Sequence, residues 1–251
     1  MTPTQAPDHF SVQAAAYKDF RPTYPAAFFD WLAHIAPSSA LAWDCGCGNG
    51  QATADLARRF GRVIGTDLSR KQLDLAAPAV NVEYRCEAAE HSTIAAASVD
   101  LTLVAQALHW FDHASFYDEV RRVSKKDARL VALTYNLLQV TPAIDELIGQ
   151  LYWETLRGYW PAGREHVENG YRDIPFPFKR LASPVFSLHA DWSLHHLFGY
   201  FGSWSAIAAY RKKNGRDPLE PYRPAFQAAW GDPHSLKPIA WPLSILAGVV
   251  A

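Results

Sequence analysis

The fold is decided by the stretch Ala42-Trp43-Asp44-Cys45-Gly46-Cys47-Gly48-Asn49-Gly50. A short apolar run ends in an acid, three glycines alternate with other residues, and a helical pattern begins at position 51. Glycine allows a chain to turn sharply and lets its backbone come close to a ligand. The pattern predicts a buried strand, a ligand-binding loop and a helix, and open α/β sheets bind ligands at this end of a strand.

Outward from this loop, short apolar runs alternate with patterns of helical spacing as far as residue 136. The predicted strands are 40–44, 62–67, 80–85, 99–106 and 129–135, and the predicted helices are 25–36, 51–60, 70–77 and 113–123. Such alternation is typical of βαβ units and predicts an α/β fold with a mainly parallel sheet.

The character of the sequence changes after residue 136, where aromatic residues are frequent. Helices are predicted at 141–158, 193–202, 204–213 and 221–230, strands at 185–189 and 238–250, and a loop at 159–184. The aromatic residues fit two interpretations, the packing of a core and the wall of a small-molecule pocket.

Composition restricts the class of protein. The chain of 251 residues has a formal net charge of -1 and is 49% hydrophobic. This is enough apolar material for a core, and the balanced charge argues against a general nucleic-acid binder. Neither a signal peptide nor a membrane span is expected. Cys45, Cys47 and Cys86 are too few for a disulfide framework, so we expect a reduced, cytoplasmic protein.

Motifs also follow the next three predicted strands. Asp67 ends the second strand, where an acid either accepts hydrogen bonds from a ribose diol or caps the following helix. Ala88-Ala89-Glu90 follows the third strand, and Gln106-Ala107-Leu108-His109-Trp110 follows the fourth. The dinucleotide fingerprint needs glycine at position 51, which is Gln51 here. A nicotinamide-dependent oxidoreductase is therefore disfavoured and is kept as an alternative.

The pattern Asp44-x-Gly46-x-Gly48-x-Gly50, with its companions, resembles the motifs of class I S-adenosylmethionine (AdoMet) methyltransferases. The resemblance covers residues 40–136 well. It implies a Rossmann-like, seven-stranded sheet with helices on both faces and a helical lid or insertion. It implies AdoMet as cofactor, bound by Tyr17, Arg21, Asp44, Gly46, Gly48, Gly50, Asp67, Leu68, Ala88, Ala89, Glu90, Gln106 and Ala107. The family often has an acid where Ala88 stands, which leaves the adenine amino group to Glu87 or a backbone carbonyl.

Two further segments narrow the resemblance. They are Tyr17-Lys18-Asp19-Phe20-Arg21-Pro22-Thr23-Tyr24-Pro25 and Tyr200-Phe201-Gly202-Ser203-Trp204-Ser205. Both are similar to the trans-aconitate methyltransferase-like branch of the methyltransferase type 11 group. That branch methylates small molecules, and its trans-aconitate enzymes esterify a carboxylate. The resemblance implies a small-molecule substrate, with a carboxylic acid as first candidate, contacted by Tyr24, Trp110, Ser203 and Trp204.

Two residues carry the most specific expectations. Pro22 restricts the chain beside Arg21, which then either clamps the cofactor carboxylate by a bidentate pair or is an ordinary surface arginine. His109 is the predicted catalytic residue, and it acts as a general base, orients the substrate or is a hydrogen-bonded core residue. No metal site is expected, because His195 and His196 are adjacent on a predicted helix and point apart.

The expected organisation is a single methyltransferase domain over 1–251. Its parts are an N-terminal cap (1–36), a cofactor-binding core (37–136), a substrate lid and insertion (137–234) and a last strand (235–251). We expect a monomer or homodimer without a nucleic-acid or membrane partner. A non-catalytic AdoMet-binding protein is the second alternative.

Overall fold

A computed structural model of the chain describes residues 22–250, which form two compact units. The sheet unit consists of Thr23–Asn136, Gly163–Leu188 and the chain from Trp241 onward. The helical unit consists of Leu137–Ala162 and His189–Ala240.

The strands have short, mostly apolar sequences. They are β1 (Leu41–Cys45), β2 (Arg62–Thr66), β3 (Val82–Arg85), β4 (Val99–Ala105), β5 (Ser124–Thr134), β6 (Lys179–Arg180), β7 (Ser187–Trp192), β8 (Lys237–Pro242) and β9 (Ser244–Val249). Seven of them form one sheet in the order β3-β2-β1-β4-β5-β9-β6, and β7 pairs with β8. Neighbours from β3 to β5 are parallel, whereas β9 runs antiparallel to both β5 and β6. The strand order reverses between β1 and β4, which is the switch point where open α/β sheets bind ligands.

The helices fill the connections between strands and most of the helical unit. They are α1 (Ala26–Ile35), α2 (Gln51–Leu56), α3 (Arg70–Leu73), α4 (His113–Val123), α5 (Pro142–Gly149), α6 (Arg164–Glu168), α7 (Leu194–Gly202), α8 (Ser205–Asn214) and α9 (Arg223–Trp230). Short 3-10 turns cover Leu108–Trp110 and Glu220–Tyr222, and a π-helix over Gln150–Thr155 continues α5. No helix within residues 22–250 is long and apolar enough to cross a membrane.

Alternate residues of the central strands pack into two apolar clusters. In β5, Leu130 and Ala132 belong to the cluster that contains the buried side chains of α4. Val131 and Leu133 belong to the cluster that contains those of α1 and α2. Successive side chains of a strand point to opposite faces. Helices therefore cover both faces of the sheet, which confirms the predicted Rossmann-like fold.

Aromatic rings form the core of the helical unit. The Tyr152 ring centroid lies 4.5 Å from that of Trp160 and 5.8 Å from that of Trp204. Trp204 also contacts the rings of Tyr200 and Phe201. For these residues, core packing is the interpretation that the structure supports.

Three segments differ from the sequence-based prediction. The predicted loop 159–184 contains α6 and β6, and its buried Val167 and Tyr171 join the cluster of the sheet unit. Elements of five and two residues are too short to leave a periodic pattern. Gly163–Leu188 therefore packs with the sheet, although it lies inside the predicted lid.

The other two differences concern strand limits. The predicted last strand, 238–250, is two strands, because the chain passes from one sheet to the other between Pro242 and Ser244. Strand β5 begins at Ser124 rather than 129, and its exposed Lys126 and Asp127 interrupt the apolar pattern that marks a strand in the sequence.

Candidate active site

The glycine loop leaves β1 at the carboxyl edge of the sheet and is held by backbone bonds to the next strand. The N–H groups of Gly46 and Cys47 donate to the Thr66 carbonyl oxygen at 2.8 and 2.9 Å. Gly50, with φ of 79°, is the residue from which α2 begins. The backbone therefore forms the predicted strand, loop and helix in that order.

Asp44 is fully buried at the end of β1. Its Oδ2 accepts a hydrogen bond of 2.5 Å from the Thr53 hydroxyl on α2. Within residues 22–250, its Oδ1 has no hydrogen-bond partner. Burial raises the pKa of Asp44 to about 7, and the negative charge of Asp67 adds to the rise. The Asp44 carboxyl group thus links α2 to the end of β1 by a hydrogen bond. Its burial favours the protonated form of the group.

Asp67 follows β2 and connects two loops through its carboxylate. Oδ2 accepts a bond of 2.8 Å from the Gly48 N–H, and Oδ1 accepts one of 2.8 Å from the Ser69 N–H. Burial raises the pKa of Asp67, and these two bonds oppose the rise. The α3 cap is Ser69, whose hydroxyl accepts from the Gln72 N–H. Asp67 therefore lies beside the glycine loop and is not the cap of α3.

Gly46 and Gly48 differ in what surrounds them. A Cβ atom at Gly46 would lie 2.6 Å from the Ala107 Cβ, so the loops after β1 and β4 pack too closely for a side chain there. A Cβ atom at Gly48 would meet no atom of residues 22–250 within 4 Å, although φ is 56°. Among residues 22–250, the open space beside the loop is therefore at Gly48.

The segment after β3 is held mainly by its own hydrogen bonds. Both carboxylate oxygens of Glu87 accept from Thr93, and the Ala88 carbonyl oxygen accepts from the His91 N–H. Glu90 Oε1 accepts from the Asp112 N–H at 2.9 Å, which joins this segment to the start of α4. Ala89 is buried in the core of the sheet unit. Glu87, one of the two expected substitutes for the adenine contact, thus already has a partner, and so does one backbone carbonyl of this segment, that of Ala88.

Gln106 turns the chain sharply at the end of β4, with φ of 59°. Its side-chain Nε2 donates to the Tyr135 carbonyl oxygen at 2.9 Å, and its Oε1 accepts from the Thr134 hydroxyl at 2.6 Å. The Gln106 side-chain amide therefore hydrogen bonds to the end of β5. The next residue, Ala107, packs closely against Gly46.

His109 lies in the 3-10 turn after Gln106 and is half-buried. Its Nδ1 is 2.9 Å from the Tyr171 hydroxyl oxygen. Burial lowers the pKa of His109 to about 3, and the nearby Arg164 adds to the fall. His109 is therefore a neutral ring at physiological pH.

Two large apolar side chains near these loops are exposed. Leu68, next to Asp67, exposes 67% of its surface, and Trp110, next to His109, exposes 41%. Exposed apolar groups beside a polar loop are typical of a surface that a ligand covers.

The other predicted site residues are placed elsewhere or not described. The Tyr24 ring packs on Phe28 and Phe29 of α1. In the helical unit, Ser203 donates its hydroxyl to the Tyr200 carbonyl oxygen and Trp204 is buried among aromatic rings. Tyr17 and Arg21 lie outside the described residues. The structure thus brings together Asp44, Gly46, Gly48, Gly50, Asp67, Gln106, Ala107 and His109 at one edge of the sheet unit.

Sequence reasoning missed three residues that hold this site, namely Thr53, Thr134 and Tyr171. Thr53 falls at helical spacing within α2, and Thr134 is an ordinary strand residue. Tyr171 is 62 residues from His109 and lies in the predicted loop. None of the three belongs to a local motif, so the sequence alone carries no signal for them.

The sequence matches the family described as a methyltransferase domain over residues 43–132. A Dictyostelium discoideum protein, named as a methyltransferase without a stated substrate, is 37% identical over 222 residues, covering 87% of this chain and 84% of that protein. A solved structure of a type II methyltransferase candidate from Anaeromyxobacter dehalogenans is 43% identical, with a TM-score of 0.88 over 92% of this chain and 98% of that one.

A third comparison supports the fold alone. A methyltransferase candidate from Anabaena variabilis is 18% identical, with a TM-score of 0.53 over 85% of this chain and 96% of that one. Three findings point to the same family. They are the sheet order with its antiparallel β9, the glycine loop after β1, and the two relatives of substantial identity. The chain therefore belongs to the class I AdoMet-dependent methyltransferases.

Proposed function

We propose that this protein transfers the methyl group of AdoMet to a small molecule and that the loops after β1, β2 and β4 hold the two reactants. The observation that carries the proposal is the bond between the Asp67 carboxylate and the Gly48 N–H, next to the open space at Gly48. It joins the two motifs expected to bind the cofactor, at the switch point of the sheet.

The residues present fit AdoMet on structural grounds. A carboxylate has about four acceptor positions, of which Asp67 uses two, so two are left for a ribose diol. The Gly48 backbone has room for a close ligand. The exposed Leu68 side chain offers an apolar contact for the adenine ring. The loops after β1 and β2 thus offer three kinds of contact: a polar one at Asp67, a backbone one at Gly48 and an apolar one at Leu68.

The remaining cofactor contacts are proposed from the resemblance. Tyr17 and Arg21 would hold the methionine part, with Arg21 on its carboxylate. Gln106 is proposed to act through its backbone, because its side-chain amide is bound to β5. When bound, the cofactor supplies a methyl group on a good leaving group, so the protein has to align, desolvate and hold the acceptor.

The substrate is proposed to be small, and the resemblance makes carboxylic acids the first class to test. Ser203 and Trp204 remain candidates on the resemblance alone, since their described contacts are internal to the helical unit. The net charge of -1 supports a small molecule over nucleic acid, which attracts strongly basic proteins.

The direct test is a methyl-transfer assay with AdoMet across carboxylic acids, phenols, alcohols and amines, with each product identified by mass. We expect one class of acceptor to gain a single methyl group, with S-adenosylhomocysteine formed in equal amount. A protein that binds AdoMet but methylates none of them would be a non-catalytic binder. A protein that oxidises or reduces a nicotinamide cofactor would be the oxidoreductase that Gln51 disfavours.

A further inference from the structure

The helical unit contains an open cavity with a volume of about 310 Å³. Two tyrosines, two prolines, a threonine, an arginine and an aspartate line it, and all seven residues belong to this unit. Small-molecule sites in proteins begin at about 300 Å³. The cavity is therefore large enough for a small ligand, and its lining determines which kind of ligand it fits.

Most of the lining is formed by rings. Tyr210 and Tyr222 are half-buried, and Pro218 and Pro221 complete this part of the wall. The Tyr210 ring also packs against the Tyr159 ring, with centroids 4.8 Å apart, which limits its movement. Tyrosine rings offer large, rigid contact surfaces that pack well against other flat groups. This part of the cavity therefore suits a flat, apolar group.

The two charged residues of the lining differ in their partners. Both Asp217 carboxylate oxygens are engaged, Oδ2 by the Arg211 guanidinium at 2.6 Å and Oδ1 by the Leu219 N–H at 3.0 Å. The neighbouring Arg216 is exposed, and its guanidinium forms no hydrogen bond or ion pair with any other residue of 22–250. The negative charge of the lining is thus balanced by Arg211, whereas the positive charge of Arg216 is left for a ligand.

A pair of hydroxyl groups adds a further donor. The Thr155 and Tyr222 hydroxyl oxygens are 2.7 Å apart, and either group is able to donate to the other. A hydroxyl has one hydrogen, so the group that accepts in this pair keeps its own hydrogen. Within the described part of the chain, neither hydroxyl has another hydrogen-bond partner. Whichever group donates, one O–H therefore remains to meet an acceptor atom.

We propose that this cavity binds a small organic anion that consists of a carboxylate joined to a flat, apolar group. The carboxylate is bound by the Arg216 guanidinium, whose fixed fork of N–H donors matches two carboxylate oxygens. The apolar group lies against the tyrosine and proline rings. This site goes beyond the proposed function, because it belongs wholly to the helical unit and includes none of the residues proposed to hold AdoMet.

Benzoate is a suitable probe, with benzamide as its uncharged counterpart and acetate as a carboxylate without a ring. Each is titrated into the whole protein without AdoMet, and NMR follows ring-labelled tyrosines, with Tyr210→Phe and Tyr222→Phe used to assign the signals. We expect benzoate to shift both signals to saturation, and benzamide and acetate to bind at least about 3-fold more weakly. No saturable shift of these signals, or benzamide binding as tightly as benzoate, would overturn the proposal.

Two variants that remove the same charge test the role of the arginine. We expect Arg216→Gln to weaken benzoate binding about 3- to 10-fold, between the effects of an exposed ion pair and of a charged hydrogen bond. Lys212→Gln is the matched control, because Lys212 is exposed on α8 and does not line the cavity. This variant should bind benzoate as the wild type does, and thermal unfolding checks that both variants keep the wild-type Tm. Unchanged affinity in Arg216→Gln, or equal losses in the two variants, would contradict the proposal.

The titrations contain no AdoMet, so their outcome is independent of the methyl-transfer assay. Failure of benzoate to bind would leave the proposed methyl transfer intact. Specific binding of benzoate in a protein that methylates nothing would leave this site intact and overturn only the proposed function.

Discussion

The Asp67 carboxylate accepts a hydrogen bond of 2.8 Å from the Gly48 N–H, so the acid after β2 holds the glycine loop after β1. The two motifs are 19 residues apart in the sequence. Their connection means that the glycine loop is positioned before any ligand binds. It also means that removing Asp67 changes both a proposed ligand contact and the loop itself.

We expect Asp67→Ala to weaken AdoMet binding by about 1.5–3 kcal/mol, the range for hydrogen bonds to a charged group. The variant loses the proposed ribose acceptor and the anchor of Gly48. Titration calorimetry measures the dissociation constant, and circular dichroism checks that the fold is kept.

Asp100→Asn is a matched control for this prediction. Asp100 is a buried acid that accepts from the Leu41 N–H and from Lys125, at the start of β1 and away from the glycine loop. We expect this variant to lose stability by about 1–3 kcal/mol and to bind AdoMet as the wild type does. Equal losses of affinity in the two variants would show that Asp67 acts through stability alone.

Gly48→Ala tests the open space beside the loop. Gly48 and Gly215 both have left-handed backbones, with φ of 56° and 67°, and a Cβ at either would meet no described atom within 4 Å. We expect alanine at either position to cost about 1–2 kcal/mol of stability through backbone strain. Only Gly48→Ala should also weaken AdoMet binding, because its methyl group would occupy the space proposed for the cofactor. Unchanged affinity would place the ligand elsewhere.

Asp44→Asn tests the buried acid through pH. Folding raises the Asp44 pKa from 3.8 to about 7, so between these values the folded state binds more protons than the unfolded state. Wild-type stability should therefore fall as pH rises through this window, by at most about 1.4 kcal/mol per pH unit. Asparagine does not ionise, so chemical unfolding should show the variant gaining stability relative to the wild type up to about pH 7. Parallel pH curves for the two proteins would exclude a raised pKa.

His109→Ala separates the three roles expected for this residue. If His109 orients the substrate, KM should rise about 3- to 10-fold with little change in kcat, as for one lost hydrogen bond. A general base would instead lower kcat about 10²- to 10⁴-fold, and the loss would shrink at high pH. A core residue would lower Tm while activity per folded molecule stayed constant. We expect the first result, because the low pKa of His109 makes it a weak base.

The sequence predicts the parts of the site that depend on local pattern. An apolar strand, an acid and alternating glycines are contiguous, so β1, its loop and α2 follow from positions 42–56 alone. The place of Asp67 follows in the same way, because the carboxyl ends of parallel strands meet at one edge of the sheet. The cap of α3 follows too, because a serine directly before a helical pattern predicts Ser69 as the cap, and the structure confirms it. What was not predictable is that Asp67 binds the Gly48 N–H.

The contacts missed from the sequence join residues that are distant in the chain. The ring of Tyr171 reaches His109 because α6 and the following turn pack on the sheet, where Val167 is buried in the same cluster. The five-residue α6 is too short for a periodic signal, and Tyr171 has φ of 61°, which no tyrosine motif predicts. Packing of this kind is decided by the whole fold rather than by a segment.

Binding of AdoMet by the glycine loop and Asp67 is tested most directly by calorimetric titration of the wild-type protein with S-adenosylhomocysteine and, separately, with NADH. We expect S-adenosylhomocysteine to bind with a stoichiometry of one, binding to weaken in Asp67→Ala, and NADH to give no heat of binding. Binding of NADH together with no binding of S-adenosylhomocysteine would contradict this expectation.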